Sequence, residues 1–323
     1  MASSRRPSAM AAMAVAAALA AACSADTEGQ GSDHANEVVA QVASYDLVAG
    51  RTGRFIVGLL AADRSRLVGF GTVELAFTYL GARGSAKATG AATQPVTAHF
   101  LPIPGQRIDA AAARPRFVEG SEGIGIYGAP GVTFDRPGFW EVTATAVVDG
   151  TRRQAQAAFE VLERSAIPAP GDPAPHTEHP VGDTAGVDAR SIDSRAGPDV
   201  AVPDPELHTT TIAAALDAGR PLMVVVSTPT YCQSRFCGPI TDSVSALAKR
   251  HGHVMDFVHL EMWKDFEKGE LNEAAAAWVF PPGAEDAREP WVFVVGSDGR
   301  ITHRFDNVAS DAELEQAVAE LTR

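Results

Sequence analysis

Residues 164–206 read "RSAIPAPGDPAPHTEHPVGDTAGVDARSIDSRAGPDVAVPDPE". A stretch this rich in Pro, Gly and Asp cannot bury enough apolar surface to fold alone. It divides the 323-residue chain into two parts with different apolar periods. Before it, residues 38–163 alternate with a period of two. After it, residues 207–323 alternate helical and extended patterns. Two units joined by a linker are expected, with room for the linker to lie along the second unit. "HTEH" in the linker places His176 and His179 at ligand-type spacing. No further donor stands close by, so the linker is read as solvated and not as a metal site.

The first segment is a targeting signal. Arg5 and Arg6 precede "AMAAMAVAAALAAAC", an apolar run ending at Cys23 and short for a membrane-spanning helix. "LAAAC" resembles a bacterial lipobox, with Leu19 four residues before Cys23 where the pattern has such a residue three before. That resemblance implies a lipoprotein signal over residues 1–23 and lipidation of Cys23. Residues 24–37 then form a polar tether, and the protein sits on the extracytoplasmic face of a membrane in the cell envelope. The other reading is an ordinary secretory signal with an incidental cysteine. Formal net charge is −13, from 27 basic and 40 acidic residues. With no basic run after residue 6, nucleic acid is excluded as a partner.

Residues 38–163 read as all-β, with strand-like runs such as "RFIVGLLAA", "VELAFTYLG" and "FWEVTATAVV" between Gly and Pro clusters. Trp140, Val142, Ala144, Ala146 and Val148 alternate onto one face. Asp149-Gly150 suits a two-residue hairpin turn, after which "QAQAAFEVL" returns. About seven short strands fit a sandwich. With the "PGFW" corner, this unit resembles small immunoglobulin-like domains of exported bacterial proteins. His99 stands alone, and no cluster of donors marks a site here, so a spacer or partner-binding module is expected.

In residues 207–323, one of Thr209 to Thr211 can cap a short helix stopped by Gly219. "PLMVVVS" is a buried strand, "ITDSVSALAKRHG" an amphipathic helix, "MDFVHLEMW" a strand and "ELNEAAAAWVF" a helix. "PWVFVVGSDGRITHRF" is a hairpin, and Ser310 with Glu313 forms a capping box for the last helix. "STPTYCQSRFCGP" carries Cys232 and Cys237 between the first strand and the long helix. This order, with Tyr231 before the first cysteine and Pro290 opening the hairpin, resembles the thioredoxin-like superfamily. The fold class expected for the chain is therefore an all-β immunoglobulin-like sandwich followed by an α/β thioredoxin-like domain.

The resemblance implies thiol–disulfide oxidoreductase activity on envelope proteins carrying disulfides or thiols. Cys232 attacks, Cys237 resolves, Tyr231 and a cis Pro290 shape the substrate groove, and a membrane donor supplies reducing equivalents. No dissociable cofactor and no metal are implied. The sequence departs from the family in two ways. The cysteines are spaced C-x4-C where the family has C-x-x-C, and Val226 stands where a buried acid usually lies six residues before the first cysteine.

Geometry limits the motif. Residues five apart in one regular helix have Cα atoms about 8.7 Å apart, and a disulfide needs about 4.4–6.8 Å. The pair can close only if the helix starts near Gly238, a start that Pro239 favours. A helix N-terminus and the nearby Arg235 lower a thiol pKa. Three rival readings use the same cysteines. A thiol peroxidase resembling peroxiredoxins needs Thr or Ser three residues before the first cysteine, where Pro229 stands. A copper-delivery protein needs a third ligand from His259 or His303, both read as surface residues from their strand positions. A non-enzymatic binding lipoprotein would keep the bridge as a structural staple, although so small a loop yields only about 2 kcal/mol.

Overall fold

The structure is a computed structural model and describes residues 37–84, 90–105, 114–119, 124–182, 184–232, 234–281 and 288–322. The expected signal segment over residues 1–23, with Cys23, lies outside the described residues, as does the expected tether up to residue 36.

Nine strands arise from the period-two region: β1 (Val38–Val42), β2 (Thr52–Ala61), β3 (Leu67–Gly69), β4 (Thr72–Gly81), β5 (Val96–Pro102), β6 (Arg116–Val118), β7 (Gly125–Thr133), β8 (Gly138–Val148) and β9 (Thr151–Val161). They form one antiparallel sheet in the order β6-β3-β2-β7-β5-β4-β8-β9, with β1 paired to β2. β1 lies beside β9 and Val48 bridges Leu162, so the sheet curls around its own apolar face. Inside, Phe55, Phe77, Phe134, Trp140 and Phe159 meet largely edge to face, the arrangement that ring quadrupoles favour. The alternation from Trp140 to Val148 is buried on that face. Asp149 and Gly150 both adopt positive φ, 49° and 80°, as a two-residue turn with the right-handed strand twist requires.

The last third contains β10 (Leu222–Ser227), β11 (Asp256–Glu261), β14 (Trp291–Val295) and β15 (Ile301–Asp306) in a sheet ordered β11-β10-β14-β15. β12 (Trp263–Asp265) and β13 (Glu270–Leu271) pair apart from it. The helices are α1 (Ile212–Asp217), α2 (Cys237–His251), α3 (Glu273–Val279) and α4 (Asp311–Leu321). β10 is buried along its whole length. Val224 and Val226 pack with α1 and α3 through Ile212, Ala275 and Trp278. Met223 and Val225 pack with α2 and α4 through Ile240, Val244 and Leu314. Caps fall where local chemistry puts them. Thr211 accepts the Ala214 amide at the start of α1, and Ser310 with Glu313 closes a reciprocal capping box on α4.

The expected fold class is corrected by this architecture. The described residues are mostly β, 39% strand against 17% helix, and only four α-helices occur among them. The first unit is one long-stranded antiparallel sheet of nine strands, not a seven-stranded immunoglobulin-like pair of sheets. No clear α/β thioredoxin-like domain follows it. An α/β domain is built on a mostly parallel sheet, whereas two of the three pairings in the second sheet are antiparallel. Strand–helix alternation along a sequence does not reveal strand direction, and α1 and α3 have only six and seven residues.

Residues 164–206 run along the second unit. Gly171 and Ala174 donate to Ile301 and Gly299 carbonyls, and Ile167 enters the core beneath β10. The two units also touch directly. Arg54 of β2 donates to Glu313 at 3.0 Å, to the Asp306 carbonyl at 2.6 Å and to the Val308 carbonyl. Arg304 of β15 pairs with Asp46, whose side chain is only 5% exposed. Removing one member of such a pair strands a buried charge. Arg304→Ala is therefore expected to lower the stability of the chain by about 3 kcal/mol, read as a shift of the urea unfolding midpoint.

Candidate functional site: a bridged cysteine pair beside a buried carboxylate

The cysteine loop leaves the carboxyl end of β10. Its base is fixed by polar contacts. The Cys232 amide donates to the Thr228 carbonyl at 3.0 Å. Thr241 of α2 donates to the Cys237 carbonyl at 2.8 Å and shares a 2.7 Å bond with Ser227 at the end of β10. α2 begins at Cys237 with Pro239 in its first turn, where a missing N–H removes no helix bond. Cys232 therefore lies outside the helix. The Cα atoms are 6.1 Å apart and the two sulfurs are bonded.

The two sulfurs differ in environment. Cys237 is fully buried at the N-terminus of a fifteen-residue helix, where the helix dipole favours a thiolate. Cys232 is partly exposed, and its sulfur lies 3.2 Å from the Ser234 hydroxyl. Tyr231 stacks on the exposed Phe266 with ring centroids 3.9 Å apart, and Trp263 meets Phe266 edge-on. This leaves an aromatic surface next to Cys232. Arg235, exposed and at positive φ, lines a cavity of about 400 Å³ with Arg64, Arg66 and Phe236, between the loop and the nine-stranded sheet. Pro290 is buried and the Glu289–Pro290 peptide is cis.

The residue that sequence reasoning missed is Glu289. A carboxylate oxygen of Glu289 and the sulfurs of Cys232 and Cys237 all lie within 4.8 Å of one another. Its Oε2 is buried without a hydrogen-bond partner. Burial, reinforced by the neighbouring Glu261 carboxylate, raises the Glu289 pKa to about 8, although the Thr228 amide pulls the other way. Uncharged carboxylic acid is thus the prevailing form at neutral pH. The signal in the sequence was an acidic residue immediately before Pro290, 63 residues beyond Val226.

The histidines also fall differently from expectation. His259 is 2% exposed, not a surface residue, because residues 189–208 cover its side of β11. His303 pairs with Glu320 at 3.1 Å, and neither histidine joins the cysteines in the one donor group found at the sulfurs among the described residues. His176 pairs with Asp217, and His179 accepts the Ile212 amide that opens α1, so "HTEH" does not form a ligand pair. Comparison with protein-family models, with curated proteins and with solved structures finds no match to this chain.

Proposed function

We propose that the protein is an exported, membrane-anchored thiol–disulfide oxidoreductase acting on envelope proteins, with Cys232 as attacking thiol and Cys237 as resolving thiol. The observation that carries this reading is the buried, proton-holding Glu289 carboxyl within reach of both sulfurs. A bridge kept only for stability has no use for an ionisable group placed at a desolvation cost.

The reduced Cys232 thiolate attacks a partner disulfide, forming a mixed disulfide and expelling one partner sulfur, which takes a proton from solvent. In the ionised fraction of Glu289, which a pKa of about 8 leaves minor at neutral pH, the Cys237 thiol passes its proton to that carboxylate and attacks the Cys232 sulfur. The second partner sulfur leaves as a thiolate and takes a proton from solvent, the partner is reduced by two electrons, and the bridged pair is left with Glu289 protonated. A membrane dithiol donor returns the pair to the reduced state. In reverse, the Cys237 sulfur leaves from a helix N-terminus that stabilises it and takes the proton from Glu289. Tyr231, Phe266 and Trp263 offer an apolar seat for partner chain beside Cys232, and Pro290 borders the groove. Lipidation at Cys23 holds the protein at the membrane.

The test is turnover of a peptide disulfide by the full chain in the presence of a dithiol reductant. Multiple turnovers are expected. A pair that stays oxidised throughout, with no turnover, contradicts the proposal and favours the staple. Peroxide consumption surviving Cys237→Ser but not Cys232→Ser contradicts it in favour of a thiol peroxidase.

A further inference from the structure

A second cluster, separate from the cysteines, lies where residues 189–208 cross β11. Asp193, His208 and His259 are 0%, 4% and 2% exposed. One donor atom from each lies within 4.8 Å of the other two. His259 Nδ1 is 3.3 Å and His208 Nε2 is 3.8 Å from the same oxygen, Asp193 Oδ2. Both ring nitrogens are buried, and neither makes a hydrogen bond of acceptable geometry.

His259 Nε2 sits 3.1 Å from the Ser227 carbonyl oxygen, so it carries the proton that the bond requires. In a neutral ring Nδ1 then has only a lone pair, and that lone pair faces a carboxylate oxygen at 3.3 Å. Two lone pairs at that distance repel unless the ring takes a second proton or a metal cation lies between them. Four-coordinate zinc binds imidazole nitrogen and carboxylate oxygen at about 2.0–2.2 Å. Donors around such an ion lie about 3.3–3.6 Å apart by tetrahedral geometry; the His259 separation meets this at 3.3 Å, and the His208 separation exceeds it by 0.2 Å at 3.8 Å. The outer shell is in place. Arg195 donates to Asp193 Oδ1 at 3.0 Å and Oδ2 at 2.7 Å, and the Ser227 carbonyl fixes the His259 ring. Such contacts orient metal ligands.

We propose that Asp193, His208 and His259 form a structural binding site for a divalent transition-metal ion of the zinc class. The three donors come from the Pro-rich segment, from the turn preceding α1 and from β11. The ion clamps the segment to the sheet edge. Ser194, next to Asp193, accepts the Thr230 amide of the cysteine loop and donates its own amide to Glu261. The clamp therefore also holds the support of that loop. Burial of all three ligands leaves no path for a substrate, so the role is structural and not catalytic.

The test uses the oxidised full chain, stripped with chelator and titrated with Zn2+. One zinc per chain is expected, with His176→Ala binding like wild type and His208→Ala binding about 100-fold more weakly or worse. Zinc should also slow proteolytic cleavage within residues 164–206. Because His208→Ala could disturb folding, X-ray absorption on zinc-loaded wild type supplies a second readout, with two imidazoles and oxygen expected around the metal. Failure to take up one equivalent, or sulfur ligation, overturns the proposal and leaves His259 as a protonated partner of Asp193.

Discussion

Cys232→Ser is expected to abolish exchange outright, while Cys237→Ser is expected to react once and stop at a mixed disulfide. The difference follows from the positions of the sulfurs. Cys232 is the partly exposed one, and Cys237 is fully buried at the first residue of α2. A partner can reach only the former, and only the latter is placed to release it. Cys237→Ser in the cell envelope should therefore accumulate covalent adducts that a reductant dissolves, and the double variant should form none. A staple predicts a different pattern, in which both single variants lose the same loop constraint of about 2 kcal/mol and neither traps a partner.

Glu289→Gln is expected to slow the resolving step by about 10²–10⁴-fold, the usual range for removing a positioned proton carrier. The same substitution should raise stability in alkaline solution. The folded pKa of Glu289, about 8, lies above its ordinary value of 4.5. The folded state thus binds this proton more tightly than the unfolded chain. That contribution is present in full below pH 4.5, declines as pH rises, and is lost above about pH 8. At pH 9 the wild type must bury a carboxylate that the glutamine variant lacks, at a cost on the order of 5 kcal/mol. The variant's melting temperature should exceed that of the wild type at pH 9 and converge with it near pH 5. Opposite signs for rate and stability separate a catalytic carboxyl from one that merely packs. Equal melting temperatures at both pH values would remove the basis for assigning Glu289 a proton.

Local features were legible in the sequence because their causes are local. Asp149-Gly150 made the hairpin turn, one of the three threonines 209–211 the cap of α1, which is Thr211, and Ser310 with Glu313 the box on α4. The cysteine spacing and Pro239 together fixed where α2 could start for a bridge to close. Features that depend on distant pairing were not legible. Apolar alternation over residues 38–163 specifies a face but not a partner, so one curled nine-stranded sheet and a two-sheet sandwich read alike. Val226 signalled a missing acid, yet β14 lies next to β10, and the residue just before β14's Pro290 end supplies one from across the sheet. His259 alternates along β11 as a surface residue would. What buries it is a segment whose composition suggested solvation, but whose charges are satisfied internally, Asp193 and Asp204 both by Arg195.

The central claim is that Cys232 and Cys237 form a working redox pair, and the reduction potential of that pair in the full chain tests it most directly. A value between about −270 and −120 mV, in the range of exchange catalysts, is predicted. A value below about −300 mV, where structural disulfides lie, would contradict it.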